Sequence, residues 1–370
     1  ASSTCASPAC SRMPIDASTV GSRRVLRLAL GTALALFFSQ AYGWTLSFIA
    51  PVITLSVLAL PMPKLPVALC AKLVIAVLVS IYVPLMLLPL IVNYRAVGLL
   101  LVALALFHAF YFAARGGAAV VAALATIGLT VTVAVGTVSI DGVLAVVNSI
   151  AIGALVGVGF AWLAHALLPE IAAGPGANAD KPAPPDLADA RRSALRSLLV
   201  VLPVVIWLML SSASAGYAAV MIKVASMGQQ ASMVDTRSAA RSLIISTLAG
   251  GIAAVIAWQL LTVSPSIILY TLVVGLAGLF FGARIFQGLG LREDAATWSY
   301  AFLTMIVILA PAALDSQFGA AAGAKFFDRL WMFLAATAYA VGVVLLFEVF
   351  WPEKKRARED DVRSATAQDA

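Results

Sequence analysis

Long apolar stretches alternate with short polar breaks along almost the whole chain. Read between those breaks, the pattern predicts spans near 25–41, 44–60, 67–91, 96–113, 118–139 and 142–168. After a segment rich in Pro, Ala, Gly and Asp from about 170 to 193, six more follow near 195–210, 213–227, 240–263, 265–281, 296–313 and 327–350. A bilayer core about 30 Å thick asks for about 20 apolar residues per helical crossing, and hydrocarbon offers backbone polar groups no partner. Helices are therefore the expected element, and the period-two alternation of a membrane barrel is absent. The expected fold class is an all-α integral membrane protein of about twelve transmembrane helices.

Charge sharpens this picture. Of 24 Lys and Arg, only Arg95, Lys325 and Arg329 fall on the opposite side of the spans from the rest when the N-terminus is placed in the cytoplasm. A missed or invented span would swap sides for every later loop, so the positive-inside rule predicts twelve crossings with both termini cytoplasmic. The domain reading follows: a cytoplasmic N-terminus over 1–22, a membrane unit over 23–169, a linker over 170–193, a second unit over 194–351 and a tail over 352–370. At a shift of 173 residues Arg23 meets Arg196, Gly43 meets Gly216 and Trp44 meets Tyr217, and at 174 Asp141 meets Asp315. With six spans on each side of one linker, these pairs predict two six-helix repeats in the same orientation, with a substrate path between them.

Composition narrows the function classes. The chain is 62% hydrophobic and 11% charged, with a mean hydropathy of +1.02, so its solvent is mostly lipid. The net charge of +7 sits singly or in short clusters beside apolar runs, which reads as topogenic charge, with no nucleic-acid partner. Cys5, Cys10 and Cys70 form no C-x-x-C pair, so neither a disulfide framework nor a metal site is expected. No phosphate loop, zinc-binding H-E-x-x-H or nucleophile elbow is present, and no enzyme activity or cofactor is expected.

The run from Arg27 through Gly31 and Thr32, then Gly43-Trp44 and the proline-bearing second span at Pro51, resembles the membrane domain of the fusaric acid resistance and aromatic acid exporter family. In the second half, Gly228-Gln229-Gln230 to Asp235-Thr236-Arg237 leads through Arg241 into Ser246-Thr247-Leu248-Ala249-Gly250-Gly251, similar to that family's Arg-led Gly-Thr-x-x-Gly helix start. Ser246 stands where the family more often has glycine, and the sizeable soluble domain of many relatives has no counterpart here. The resemblance implies a bacterial inner-membrane exporter of small aromatic or other organic acids. It also implies a periplasmic adaptor protein as partner, and leaves a homo-oligomer open.

All 17 Asp and Glu fall in loops, tails or helix ends, which disfavours a carboxylate-based proton site and suits an anionic substrate. Moving one negative charge out of a cell that is negative inside releases about 2.3 kcal/mol per 100 mV. Candidate path residues are the cations Lys72 and Lys223 near the cytoplasmic span ends, and Arg237 and Arg241 beside a helix start. Further candidates are His108, deep in the fourth span, and the amides Gln40, Asn148 and Gln259. Each also has a plainer reading: snorkelling or topogenic charge for the cations, interhelical hydrogen bonding for the rest. Competing functions are a gated organic-anion channel, a non-transporting membrane scaffold and a membrane-embedded enzyme.

Overall fold

The computed structural model describes residues 17–44, 46–60, 66–136, 140–169, 187–210, 224–228, 236–287, 290–315 and 322–351. Among them lie twelve α-helices: α1 (Ala17–Ala41), α2 (Ile49–Leu58), α3 (Val67–Tyr82), α4 (Leu88–Asn93), α5 (Arg95–Ala114), α6 (Ala119–Gly136), α7 (Ile140–Leu167), α8 (Leu187–Leu210), α9 (Thr236–Val263), α10 (Ile267–Ile285), α11 (Ala295–Asp315) and α12 (Ala322–Phe350). A 3₁₀ turn, Val83–Leu87, joins α3 to α4, and residues 224–228 are helical. Among the described residues sheet is confined to a two-stranded hairpin, β1 (Phe286–Gln287) with β2 (Gly290–Leu291). Seven helical stretches are long and apolar enough to cross a membrane, among them Val20–Ala41, Val67–Asn93 and Ile140–Leu167. The protein is an all-α multi-span membrane protein. Its outward faces are apolar in keeping with that: Met86, Leu100 and Val263 are 77%, 70% and 85% exposed.

Local chemistry sets the helix ends. Both α1 and α5 stop in the same motif, with glycine in the left-handed region: Gly43 at φ 65° and Gly116 at φ 81°. In each, the glycine N–H and the next one donate back into the last turn, from Gly43 to Gln40 and Trp44 to Ser39, and from Gly116 to Ala113 and Gly117 to Phe112. Ser266 caps α10 by accepting from the Leu269 N–H. Pro84 lies in the 3₁₀ turn, where the third predicted span tightens without ending, whereas Pro203 sits inside a continuous α8. Pro51 falls in the first turn of α2, where a missing N–H costs no helical bond.

The second span departs from expectation. Its apolar run covers 44–60, yet α2 has 10 residues, a length of about 15 Å and half of a hydrocarbon core. At its start the Ser47 carbonyl is taken by the Ser39 hydroxyl at 2.7 Å in the turn after α1, and beyond its end Pro61 disfavours a helical Leu60.

Helix pairing recurs across the two halves. α3 packs on α6 and α7, as α9 packs on α11 and α12; α5 packs on α6, as α10 packs on α11; α7 packs on α1, as α12 packs on α8. Between the halves, α1 runs along α10 and α8 runs along α5. At the end where α8 begins and α12 finishes, Arg192 lies over the Phe347 ring and donates to the Trp351 carbonyl. At the C-terminal end of α10, Arg284 stacks on Phe280 and on Trp298, whose indole N–H donates to Asp294 at 2.7 Å. This clamp and the hairpin tie α10 to α11.

Candidate functional site

Depth along α1 is set by its contact with α2. A side chain at Gly31, the midpoint of the Val20–Ala41 stretch, would meet the Leu58 side chain at 2.5 Å, Ala164 at 3.1 Å and Thr54 at 3.4 Å. Leu58 is the last residue of α2, so that helix stops halfway across the span it packs against. Its other side is held by α7: Cβ atoms at Gly153 and Gly157 would meet Ile49 at 2.8 Å and the Ala50 carbonyl at 2.7 Å, and the Thr54 hydroxyl donates to the Gly157 carbonyl. The Gly153 and Gly157 pair is thus a close-packing seam between helices.

On the same face of α1 as Gly31, four and seven residues toward its start, lie Arg27 and Arg24. They are 2% and 5% exposed. In the second half, Gly228 ends the described 224–228 stretch against Val201 of α8 and Phe110 of α5. Arg196, five residues before Val201 on α8, is 6% exposed. Arg115 stacks on Tyr111 four residues back, as Arg284 does on Phe280. Among the described residues no Asp or Glu is buried, while Arg24, Arg27 and Arg196 are. These arginines were read from sequence as topogenic. The spacing of Arg24, Arg27 and Gly31 on one helical face is the signal that could have singled them out.

The residues singled out from sequence do not gather in one place. Lys72 is exposed near the start of α3, and Arg241 is exposed on the second turn of α9. Lys223 lies outside the described residues, as does the Arg237 side chain. His108 faces outward on α5, its Nδ1 2.8 Å from the Leu104 carbonyl, a hydrogen bond only a protonated Nδ1 can make. Asn148 is also exposed and accepts from the Tyr82 hydroxyl at 2.7 Å, linking α7 to the end of α3. Gln259 is exposed on α9, and half-buried Gln40 donates to the Ser47 hydroxyl at 2.8 Å, bracing the α1–α2 turn. Gln40 and Asn148 thus both bond between elements.

Buried hydroxyls fill the second half's core. Tyr300 donates to Ser226 at 2.6 Å, Ser242 and Thr297 are 2.6 Å apart, and the Thr337 hydroxyl reaches both the Phe333 carbonyl and Thr247. No group of three or more metal-ligating side chains occurs among the described residues.

No curated protein and no solved structure matches the chain. Residues 24–164, running from the buried arginines of α1 through almost all of α7, match a family described as a protein of unknown function (DUF2955).

Proposed function

We propose that this protein is a secondary exporter of small organic, chiefly aromatic, acids across the bacterial inner membrane, built as two six-span repeats and driven outward by membrane potential. The observation that carries the reading is the burial of Arg24, Arg27 and Arg196, with no buried carboxylate among the described residues. A guanidinium inside the protein attracts an anion where a carboxylate would repel it. The recurring pairing of helices supports the duplication, and the resemblance of Arg27–Thr32 and Ser246–Gly251 to the fusaric acid resistance and aromatic acid exporter family supports the substrate class. A periplasmic adaptor belongs to the same reading.

Purified protein in vesicles loaded with benzoate tests it. Efflux should rise with an imposed potassium-diffusion potential, positive outside the membrane face that carries the charge away. Efflux that ignores voltage and follows a pH gradient alone would overturn potential-driven export, and vesicles no leakier than protein-free ones to any of a panel of aromatic and aliphatic acids would overturn the substrate class.

A further inference from the structure

A groove of about 410 Å³ opens on the outer face of the second half, between α9 and α12. Ile244 and Leu248 form one wall, and Leu334, Ala338, Gly342 and Leu345 the other. Its surface is apolar because Thr337, the one hydroxyl beside Thr247 on its floor, is turned to the Phe333 carbonyl and to Thr247. A side chain at Gly342 would meet nothing within 4 Å, so the space is open at that point. From Leu334 to Leu345 the groove follows α12 for about 16 Å, close to half the roughly 30 Å hydrocarbon core and hence to one leaflet.

Its mouth carries charge. The contact between Thr337 and Thr247 fixes the register of the antiparallel helices, and Arg241, six residues before Thr247, comes level with the Leu345 end. Arg241 is exposed and lies on the stripe of Ile244 and Leu248, three and seven residues away, with Arg237 one turn further along α9. Glu348 stands on the α12 side of the same mouth, and Arg241 on the α9 side. Trp351 and the start of α8 mark this end as the level of the interface.

We propose that the groove binds one acyl chain of an anionic phospholipid from the adjacent leaflet, with Arg241 receiving the lipid's phosphate and negative head group. The chain fills apolar space of matching length, and the cation selects the head group. One arginine near an anionic surface contributes a preference of about fivefold.

The full-length protein in nonionic detergent is the material for the test, with dioleoyl phosphatidylglycerol and dioleoyl phosphatidylcholine as probes that differ only in head group. Bound lipid is counted by native mass spectrometry. The wild type should retain the glycerol lipid about fivefold better. Gly342→Leu and, independently, Ala338→Leu should lose the tightly held lipid of either kind, and Arg241→Gln should hold both equally. Equal retention by the wild type, or a preference that survives Arg241→Gln, would overturn the proposal even if both filling variants fail to fold. So would light scattering that shows a dimer which the filling variants dissociate, because the groove would then seat a second copy. None of these readouts depends on transport.

Discussion

The seam between α1 and α10 and the seam between α5 and α8 hold equivalent places in the two halves, yet they are packed by opposite means. Along α10, Gly278 and Gly282 face α1 so closely that a Cβ would meet the Ala29 backbone at 2.8 Å and the Val25 side chain at 3.1 Å, while at Gly275 it would clear Ala33 at 3.6 Å. Along α5 and α8 the contact is keyed by Phe110, which is fully buried and reaches the place where Val201 and Gly228 meet. Lipid tails are as apolar as leucine, so neither seam gains much from hiding apolar surface; association in a membrane rests on van der Waals packing. One seam reaches it by letting backbones approach, the other with a large side chain set where Val201 and Gly228 meet.

Phe110→Ala should produce the largest loss, about 3–5 kcal/mol of stability by analogy with emptied cores, read as a lower midpoint in denaturant or heat. A loss under about 1 kcal/mol would mean that the α5–α8 seam does not depend on that ring. Gly278→Leu comes next, at about 1–3 kcal/mol, since the obstacle is the Ala29 backbone and a rotamer change cannot relieve it. Gly275→Ala, where the new methyl has room, should leave the melting point nearly unchanged, and the pair of variants separates close approach from mere smallness.

Function offers a finer probe of the same halves. Arg27→Gln on α1 should slow anion efflux about tenfold, the equivalent of about 1.4 kcal/mol, while Arg23→Gln, on the exposed face of the same helix, should leave it within twofold. Equal effects from both would make Arg27 a bulk topogenic charge.

The smallest effect concerns the clamp at the end of the α1–α10 seam. The Trp298 indole N–H, with Arg292 beside it, holds the Asp294 carboxyl below its usual range. The contribution is therefore fully present above the carboxylate's ordinary value of about 3.9 and is lost as pH falls through the lowered one. Asp294→Asn should blunt the acid side of the melting profile and change little at neutral pH, because the group is exposed.

Crossing segments were legible because a helix must supply about 20 apolar residues before it can span hydrocarbon, and 67–91 or 240–263 can be little else. The late start of α2 was not, since Thr45 to Phe48 are apolar on average and hydropathy cannot see the turn that the Ser39 hydroxyl holds on the Ser47 carbonyl. Nor could the sequence say which way His108, Asn148 or Gln259 would point. Lipid and protein interior are both apolar, so helices such as α5 and α7 are hydrophobic all round and carry no stripe to mark the inner face. Arg24 and Arg27 were hidden for another reason: a charge at the cytoplasmic start of a span satisfies the positive-inside rule whether it ends in water or under a neighbouring helix.

The α1–α10 seam also sets a timetable for biosynthesis. α8 emerges after its partner α5 has been made, but α1 is finished about 225 residues before α10 begins. At roughly 5–20 residues per second, the first helix waits about 11–45 s in the nascent chain for the surface that will cover it. It is the helix with the lowest hydropathy of the seven crossing stretches, at 1.2, and Val25, Ala29 and Ala33 are the residues left to lipid and the insertion machinery for that interval.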